Sequence, residues 1–322
     1  MFLTIDTICK EYQGQGILHD VSFAVAEGEL VSIIGPSGAG KTTLLKIIAG
    51  LDEADSGYIR SPVESKHNPA VLVFQDYVLF PTMTVFDNVA FGLKARKLEK
   101  TAVQDKVMTM LAYFGLAGKA KQFPRRLSSG QQQRVALARA MVVEPSILLL
   151  DEPFANLDRN LKSGTAEFIR SFQKEYKITT ICVTHDLQEA FMMSDRIGIL
   201  LNGVLCQYGD AQEVYRQPAS AEVAAFLGHV NTVPRRYFCK LSFTRPVDGG
   251  VHVVGVRAEA LFLEKDRDGS GVIEDILFAG HYSVCRIRID ELLLTAYSFA
   301  DNFSINDRVR IVIKQYIEMK GE

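Results

Sequence analysis

One stretch of the sequence decides the fold: Leu30-Val31-Ser32-Ile33-Ile34-Gly35-Pro36-Ser37-Gly38-Ala39-Gly40-Lys41-Thr42-Thr43. Four of its first five residues are apolar, and three of these are β-branched, which predicts a buried strand. The apolar run that follows the stretch predicts a helix. Between them, glycines let backbone N–H groups turn inward and form an anion-binding nest, to which the helix N-terminus adds its own donors. Lys41 is placed to reach the β- and γ-phosphates, and the Thr42 hydroxyl to bind magnesium. The stretch therefore predicts a site for a nucleoside triphosphate.

The composition is that of an ordinary globular protein. Of its residues, 48% are hydrophobic and 23% are charged, which is typical of globular proteins. The length of 322 residues favours two domains over one. Its formal net charge of −2 argues against bulk electrostatic binding of nucleic acid or anionic lipid. The five cysteines are scattered and form no CxxC pair, so we expect reduced thiols in a cytosol and no zinc site. Neither a leader nor an apolar run of about 18 residues is evident, so we expect any membrane crossing to belong to another polypeptide.

Two carboxylates end a second predicted strand. Ile147–Leu150 are apolar, and Asp151 and Glu152 follow at the carboxyl end, where doubly wound sheets bind ligands. Asp151 is suited to a magnesium ion, and Glu152 to orienting an attacking water. The β-branched run Ile178–Val183 predicts a further strand, and His185 beyond its end is either structural or a hydrogen-bond partner of a γ-phosphate.

Three further features are ambiguous when each is taken alone. Gln75 ends the predicted strand Val71–Phe74 and is either a sensor of metal or γ-phosphate or a plain loop residue. Ser128 is predicted to cap the helix that follows it, and this glycine-and-serine turn is either an ordinary cap or an anion site. Tyr12 lies in the first turn region, where a surface tyrosine is the simplest interpretation.

Taken in order, these features resemble the nucleotide-binding subunit of an ATP-binding-cassette (ABC) transporter over residues 1–230. The resemblance lies in the phosphate loop, the glutamine loop, the signature, the acidic strand end, the loop after it and the switch histidine: Gly35–Thr42, Gln75, Leu127–Gln131, Asp151-Glu152, Asn156-Leu157-Asp158 and His185. It implies an α/β P-loop NTPase cassette with an antiparallel β subdomain and an α-helical subdomain at about residues 76–145.

The same resemblance implies roles for individual residues, with ATP and Mg²⁺ as cofactors. Tyr12 would stack on adenine, Gln75 would help Thr42 and Asp151 hold magnesium and report to a membrane partner, and Asp158 would join the nucleotide-binding set. The signature would clamp the ATP bound to the opposite subunit, so a homodimer closing on two ATP molecules is expected; its clamping residues are Ser128, Ser129, Gly130 and Gln131. Glycine is typical at position 129, and we expect the serine to weaken the clamp without abolishing it.

Residues 231–322 predict a small all-β domain. Short apolar runs bounded by turns fit an OB-like barrel: Val251–Val254, Leu261–Leu263, Val284–Ile289 and Arg308–Ile313. A hairpin turn is predicted at residues 266–271. The tail resembles the extension found on importer ATPases for sugars, polyamines, ferric iron, sulfate or phosphonates, through Phe226-Leu227-Gly228 and Val256–Glu259, with Ala258 in place of the usual proline. In that family the extension helps the dimer form and sometimes binds a regulator.

The resemblance implies an ATPase for import, peripheral at the cytoplasmic face of the inner membrane, with separate transmembrane permease subunits and an extracytoplasmic solute-binding protein. An ABC ATPase for export, and a soluble one of DNA repair or translation, are the alternatives. The β domain favours import, and no aromatic-and-basic platform for nucleic acid stands out. Substrate contacts would lie in the partner chains, and ferric iron and polyamines are the first candidates.

Overall fold

A computed structural model describes residues 2–61, 70–155, 159–300 and 302–319, and the side chains of all of these except residues 159–163. The chain divides into two compact units, Met1–Gln212 and Glu213–Glu322. The domain boundary predicted at residue 230 and the bounds of the helical subdomain stay predictions.

The first unit alternates strands and helices. Its strands are β1 (Leu3–Tyr12), β2 (Gln15–Val25), β3 (Leu30–Ile34), β4 (Ser56–Arg60), β5 (Ala70–Val73), β6 (Ile147–Asp151), β7 (Thr179–Thr184), β8 (Arg196–Leu201) and β9 (Val204–Asp210). Its helices are α1 (Lys41–Ile48), α2 (Val85–Ala95), α3 (Lys100–Tyr113), α4 (Ser129–Met141), α5 (Arg159–Tyr176) and α6 (Leu187–Met193), and α7 (Ala211–Arg216) leads out of it.

A six-stranded sheet forms the centre of this unit, in the order β5-β6-β7-β3-β8-β9. The first five strands are parallel, and β9 is antiparallel to β8. Every residue of β3, β6 and β7 is buried, which explains why these strands are continuous apolar or β-branched runs instead of alternating ones. Because the strands are parallel, the residues that follow β3, β6 and β7 meet at one edge of the sheet.

An antiparallel sheet of β2, β1 and β4 packs its apolar side chains into the same core as β3 and α1. Ile5 and Val21 are among the fully buried residues of this core, together with Leu44 of the phosphate-loop helix. This packing places the end of β1, where Tyr12 lies, beside the segment that follows α1.

Helices α2, α3 and α4 share a second core with the other face of the central sheet. The chain between β5 and α2 is ordered by the buried Asn88, whose Oδ1 accepts a hydrogen bond from the Phe80 N–H at 2.8 Å. Its Nδ2 donates to the carbonyls of Phe80 and Met83 at 3.1 and 3.2 Å. The loop after Gln75 is therefore anchored on the helices.

The second unit is a small β domain. It contains α8 (Ala221–Phe226) and the strands β10 (Val230–Pro234), β11 (Ser242–Phe243), β12 (Val253–Arg257), β13 (Leu261–Lys265), β14 (Gly271–Phe278), β15 (Ser283–Ile289), β16 (Leu292–Ser298), β17 (Arg308–Ile313) and β18 (Ile317–Met319). One sheet has the order β10-β12-β18, and the other has the order β11-β17-β14-β15-β16, with β13 added on β17. Alternating buried side chains of β15 and β17 fill the core between them.

The predicted hairpin at residues 266–271 is wrong. A tight turn is present, with the Gly269 N–H donating to the Asp266 carbonyl at 3.0 Å. However, the described strands on its two sides pair with β17 and not with each other, since Lys265 and Gly271 both lie opposite Val309. In the part of the chain that the structure describes, no helix is both long and apolar enough to span a membrane.

Candidate functional site

The phosphate loop joins the end of β3 to the start of α1 and needs glycine at two positions. Gly40, the N-cap of α1, has a φ of 97°, and a Cβ there would lie 2.7 Å from Leu18 Cδ2. A Cβ at Gly35 would lie 2.1 Å from the Leu200 carbonyl oxygen, so this backbone approach excludes any side chain. The loop therefore combines exposed backbone at Ser37 and Gly38 with a rigid base.

Lys41 is held beneath this loop. Its side chain is buried, and its Nζ donates to the carbonyls of Gly35 and Pro36 at 2.9 Å each. Burial lowers the pKa of Lys41, whereas the charges of Glu152 and Asp151 oppose that shift. The loop thus contains a fixed, poorly solvated cation of the kind that binds phosphate strongly.

Thr42 and Asp151 are brought together from the phosphate loop and β6. The Thr42 hydroxyl donates to Asp151 Oδ1 at 3.0 Å. Burial raises the pKa of Asp151, and the hydrogen bond from Thr42 and the charge of Lys41 oppose that rise. One carboxylate and one hydroxyl, beside a loop shaped for phosphates, fit Mg²⁺, which usually takes one or two protein oxygens and completes its shell with phosphate and water.

Glu152 and His185 meet at the ends of β6 and β7. The Glu152 backbone N–H donates to the Val183 carbonyl at 2.9 Å, and Glu152 Oε2 lies 3.1 Å from His185 Nδ1. Glu152 has a φ of 44°, a left-handed conformation that costs a non-glycine residue energy and often marks a functional position. The Glu152 side chain is 18% exposed and that of His185 is 53% exposed, so the pair faces a partly open space.

Gln75 lies at the same edge of the sheet, because β5 pairs in parallel with β6 and Gln75 follows β5 by two residues. Its side chain is exposed. The loop beyond it is attached to α4 by Arg139, whose guanidinium donates to the carbonyls of Tyr77 and Val78 at 3.0 and 2.9 Å. The loop after Gln75 is therefore hydrogen-bonded to α4, the helix that starts at the signature turn.

Tyr12 is tied to the chain beyond the phosphate-loop helix by contacts that sequence reasoning missed. Its hydroxyl forms a short hydrogen bond with the Asp52 carboxylate, in the segment that follows α1. Lys10 Nζ lies 3.0 Å from Asp52 Oδ1 and 5.0 Å from the centre of the Tyr12 ring. Strand alternation places Lys10 and Tyr12 on one face, and nothing in the sequence pointed to Asp52.

The signature turn begins α4, as predicted. Ser128 is the N-cap: its Oγ accepts from the Gln131 N–H at 3.4 Å, and Gln131 Oε1 accepts from the Ser128 N–H at 3.2 Å, which together form a capping box. None of the hydrogen bonds among the described residues joins Ser128–Gln131 to the phosphate loop of the same chain. Asp158 lies outside the described residues.

Comparison with known proteins places this geometry in a family. Residues 18–155 match the family described as "ABC transporter". "Fe(3+) ions import ATP-binding protein FbpC" of Photobacterium profundum is 34% identical over 334 residues, which cover 97% of this chain and 95% of the relative. The chain belongs to the ABC transporter family.

Other relatives agree with this assignment. "Sulfate/thiosulfate import ATP-binding protein CysA" of Bacillus cereus is 45% identical over 241 residues, covering 72% of this chain and 68% of the relative. Among solved structures, the dimeric post-hydrolysis state of the ATP-binding cassette MJ0796 bound to ADP and Pi has a TM-score of 0.59 and 29% identity, covering 65% of this chain and 99% of that one. Each is similar to this chain, and together they confirm the predicted fold class.

This ABC protein is an ATPase, the ATP-binding subunit of an import system, and the predicted family and enzyme class are confirmed. The similar cassette MJ0796 is dimeric in its post-hydrolysis state. The importer interpretation is preferred over the export and non-transport alternatives, because the relatives are import ATP-binding proteins.

Proposed function

We propose that this ABC ATPase closes as a homodimer on two Mg²⁺–ATP complexes and drives uptake of a solute delivered by an extracytoplasmic solute-binding protein. It would act at the cytoplasmic face of the inner membrane, bound to its permease subunits. The observation that carries the proposal is the convergence of three groups at one sheet edge: buried Lys41, the Thr42–Asp151 pair and the Glu152–His185 pair.

The proposed chemistry follows from the positions of these side chains. Phosphoryl transfer to water depends on positioning and charge neutralisation more than on covalent catalysis. Lys41 and the loop N–H groups bind the β- and γ-phosphates, and Glu152 orients the attacking water and accepts its proton. His185 Nδ1 contacts Glu152 Oε2 at 3.1 Å, and the other ring nitrogen of His185 would face the γ-phosphate. Thr42, Asp151 and Gln75 would hold Mg²⁺, which neutralises phosphate charge when bound.

The signature residues are proposed to complete the site of the opposite subunit. Ser128, Ser129 and Gly130 lie at a helix N-terminus, where unpaired N–H groups attract anions, and the first two are exposed. Within one chain the described residues form no bond between this turn and the phosphate loop, so the turn is available to a second copy. The dimeric state of a similar solved cassette supports the dimer that this proposal needs.

We expect Asp52→Ala to lower nucleotide affinity through Tyr12. Asp52 accepts the Tyr12 hydroxyl and pairs with Lys10, so its removal frees the ring that we propose stacks on adenine. Because one contact that positions the ring is lost, we expect a several-fold increase in the Kd for ATP. Fluorescence titration with a nucleotide analogue measures this change in Kd.

Asp6→Ala is the matched control for that experiment. Asp6 lies opposite Tyr58 in the same antiparallel sheet and has no proposed nucleotide contact. The Asp6→Ala variant should bind the nucleotide as tightly as the wild type. An unchanged Kd in Asp52→Ala would show that Tyr12 is held by other contacts or does not touch the base.

An apolar groove of about 520 Å³ beside Gln75 is the proposed contact for a permease segment. Its walls come from β5, α2 and α4 and include Phe74 and Phe91, which are 37% and 44% exposed. Phe91→Asp should reduce co-purification with the permease by about tenfold, because a carboxylate would be desolvated in the contact. ATP hydrolysis by the free subunit should not change; loss of both properties would instead indicate misfolding.

Ferric ion is our first candidate for the solute. The ferric-ion import relative aligns over 97% of this chain, including the β domain, whereas the sulfate/thiosulfate relative aligns over 72% of it. Proteoliposomes containing this chain and its co-purified permease, supplied with the solute-binding protein on the extracytoplasmic side, should accumulate ⁵⁵Fe(III) in an ATP-dependent manner. If a polyamine is taken up instead of ferric ion, the substrate assignment changes to a polyamine. If no candidate solute is taken up in an ATP-dependent manner, or if solute is exported, the importer mechanism is contradicted.

A further inference from the structure

The second unit contains a pocket of about 210 Å³ whose walls combine aromatic rings with positive charge. The rings are those of Tyr215, Phe262 and Tyr316, and the cations are Arg216, Arg257 and Lys314. All of these residues lie within Glu213–Glu322, remote in sequence from the phosphate loop. We propose that this pocket, which we call the β-domain pocket, binds a small organic carboxylate with an apolar body.

Arg257 is the residue on which this proposal mainly rests. The residue is 7% exposed, and among the described residues no carboxylate pairs with it. Its guanidinium donates to the carbonyls of Tyr215 and Ala224 at 3.1 and 3.5 Å and lies 4.1 Å from the centre of the Tyr215 ring. Its Nε–H is buried and has no acceptor in the described structure. A buried cation is costly when no anion is near it, so the charge of Arg257 favours an anion in the adjoining pocket.

The remaining charges of the pocket favour an anion as well. The acid in the lining, Glu259, already accepts the Tyr215 hydroxyl in a short hydrogen bond. Lys314 Nζ lies 3.4 Å from the centre of the Phe262 ring and forms no ion pair among the described residues. Three cations and one carboxylate leave a net positive lining, which attracts an anion and repels a cation.

Size and shape select an organic anion over a bare inorganic one. A cavity of about 150 Å³ holds a benzene molecule, so a volume of about 210 Å³ accommodates a ring with one carboxylate. The aromatic walls would contact the apolar body while Arg257 and Lys314 bind the carboxylate. Small-molecule sites usually combine an apolar lining with a few polar groups that fix the ligand's orientation in this way. A wider polar groove that shares Lys314 and Tyr316 and adds Arg245 adjoins the pocket and provides an entry path.

Benzoate is a suitable probe, and isothermal titration of the full chain, without nucleotide, measures its binding. We expect saturable binding with a Kd below about 5 mM, and binding at least about tenfold weaker for benzyl alcohol, which has the ring without the charge. Equal affinity for benzyl alcohol and benzoate would overturn the proposal. Saturable binding of sulfate without binding of benzoate would overturn it too, because the site would then be one for inorganic oxyanions.

Two pairs of variants locate the binding. Lys314→Gln should weaken benzoate binding several-fold, whereas Arg267→Gln, which removes an exposed positive charge elsewhere in the same domain, should have no effect. Phe262→Ala should also weaken it, and Phe299→Ala, at a ring that is 73% exposed, should not. Arg257→Gln should abolish benzoate binding. Because Arg257 is buried, this variant can fail to fold, and in that case Lys314→Gln and Phe262→Ala, at exposed positions, decide the test. Unchanged binding in both Lys314→Gln and Phe262→Ala would contradict the assignment.

Discussion

Glu152→Gln should bind ATP as tightly as the wild type but hydrolyse it about 10²–10⁴-fold more slowly, the usual contribution of a positioned general base. The substitution preserves size and can still accept the contact with His185 Nδ1, which lies 3.1 Å from Glu152 Oε2. It removes the group that orients the water and accepts its proton. Because ATP favours the closed dimer and can no longer be consumed, the variant should accumulate as an ATP-dependent dimer.

Phosphate release measures the rate, and size-exclusion chromatography with MgATP measures the dimer. Glu144→Gln is the matched control, because Glu144 forms an exposed ion pair with Lys106 at 2.6 Å, a contact of little energetic weight. Its turnover should equal that of the wild type. Undiminished hydrolysis in Glu152→Gln would remove Glu152 from the proposed mechanism and transfer the role to another acid.

Lys41→Gln should abolish productive ATP binding while leaving the fold intact. Two charge-assisted contacts to phosphate, at about 1.5–3 kcal/mol each, correspond to a loss of affinity of roughly 10²–10⁴-fold. Removing a buried cation also removes its desolvation cost, the same cost that lowers the pKa of Lys41. We therefore expect the melting temperature without nucleotide to stay the same or to rise.

Calorimetric titration with MgATP and thermal denaturation together test this prediction. Lys94→Gln, at an exposed lysine paired with Asp87 at 2.8 Å, controls for the loss of one positive charge. A large fall in melting temperature would mean that Lys41 holds the loop together, and weak binding could then not be assigned to lost phosphate contacts.

The sequence was most informative where structure is local. The bounds of β3 were read correctly as Leu30–Ile34, because a buried parallel strand is a continuous apolar run. The cap at Ser128 was also predictable, since Ser128 and Gln131 have the spacing of a capping box. Asp151 and Glu152 were placed at a sheet edge by the simple rule that ligands bind at the carboxyl ends of parallel strands.

Contacts between distant parts of the chain escaped prediction. Asp52 holds Tyr12 across 40 residues of sequence, and no periodicity connects them. The pairing of both β13 and β14 with β17 is of the same kind: the turn residues at 266–269 indicated a reversal of the chain but not the partner of each strand. Arg257 belongs to the Val256–Glu259 motif of the tail, but only the structure shows that its guanidinium is buried without a paired carboxylate among the described residues.

The long hydrogen bond within the Ser128 cap has a consequence for the energetics of dimer closure. At 3.4 Å, the bond from the Gln131 N–H to Ser128 Oγ is longer than the usual protein N–H···O hydrogen bond, and the serine oxygen is the acceptor in it. In the proposed dimer the Ser128 O–H would donate to a phosphate oxygen bound to the neighbouring subunit while its oxygen continues to accept the cap bond. Each subunit would then join and leave the closed dimer without unfolding the first turn of α4, so dimer opening and closing would not require this helix end to refold.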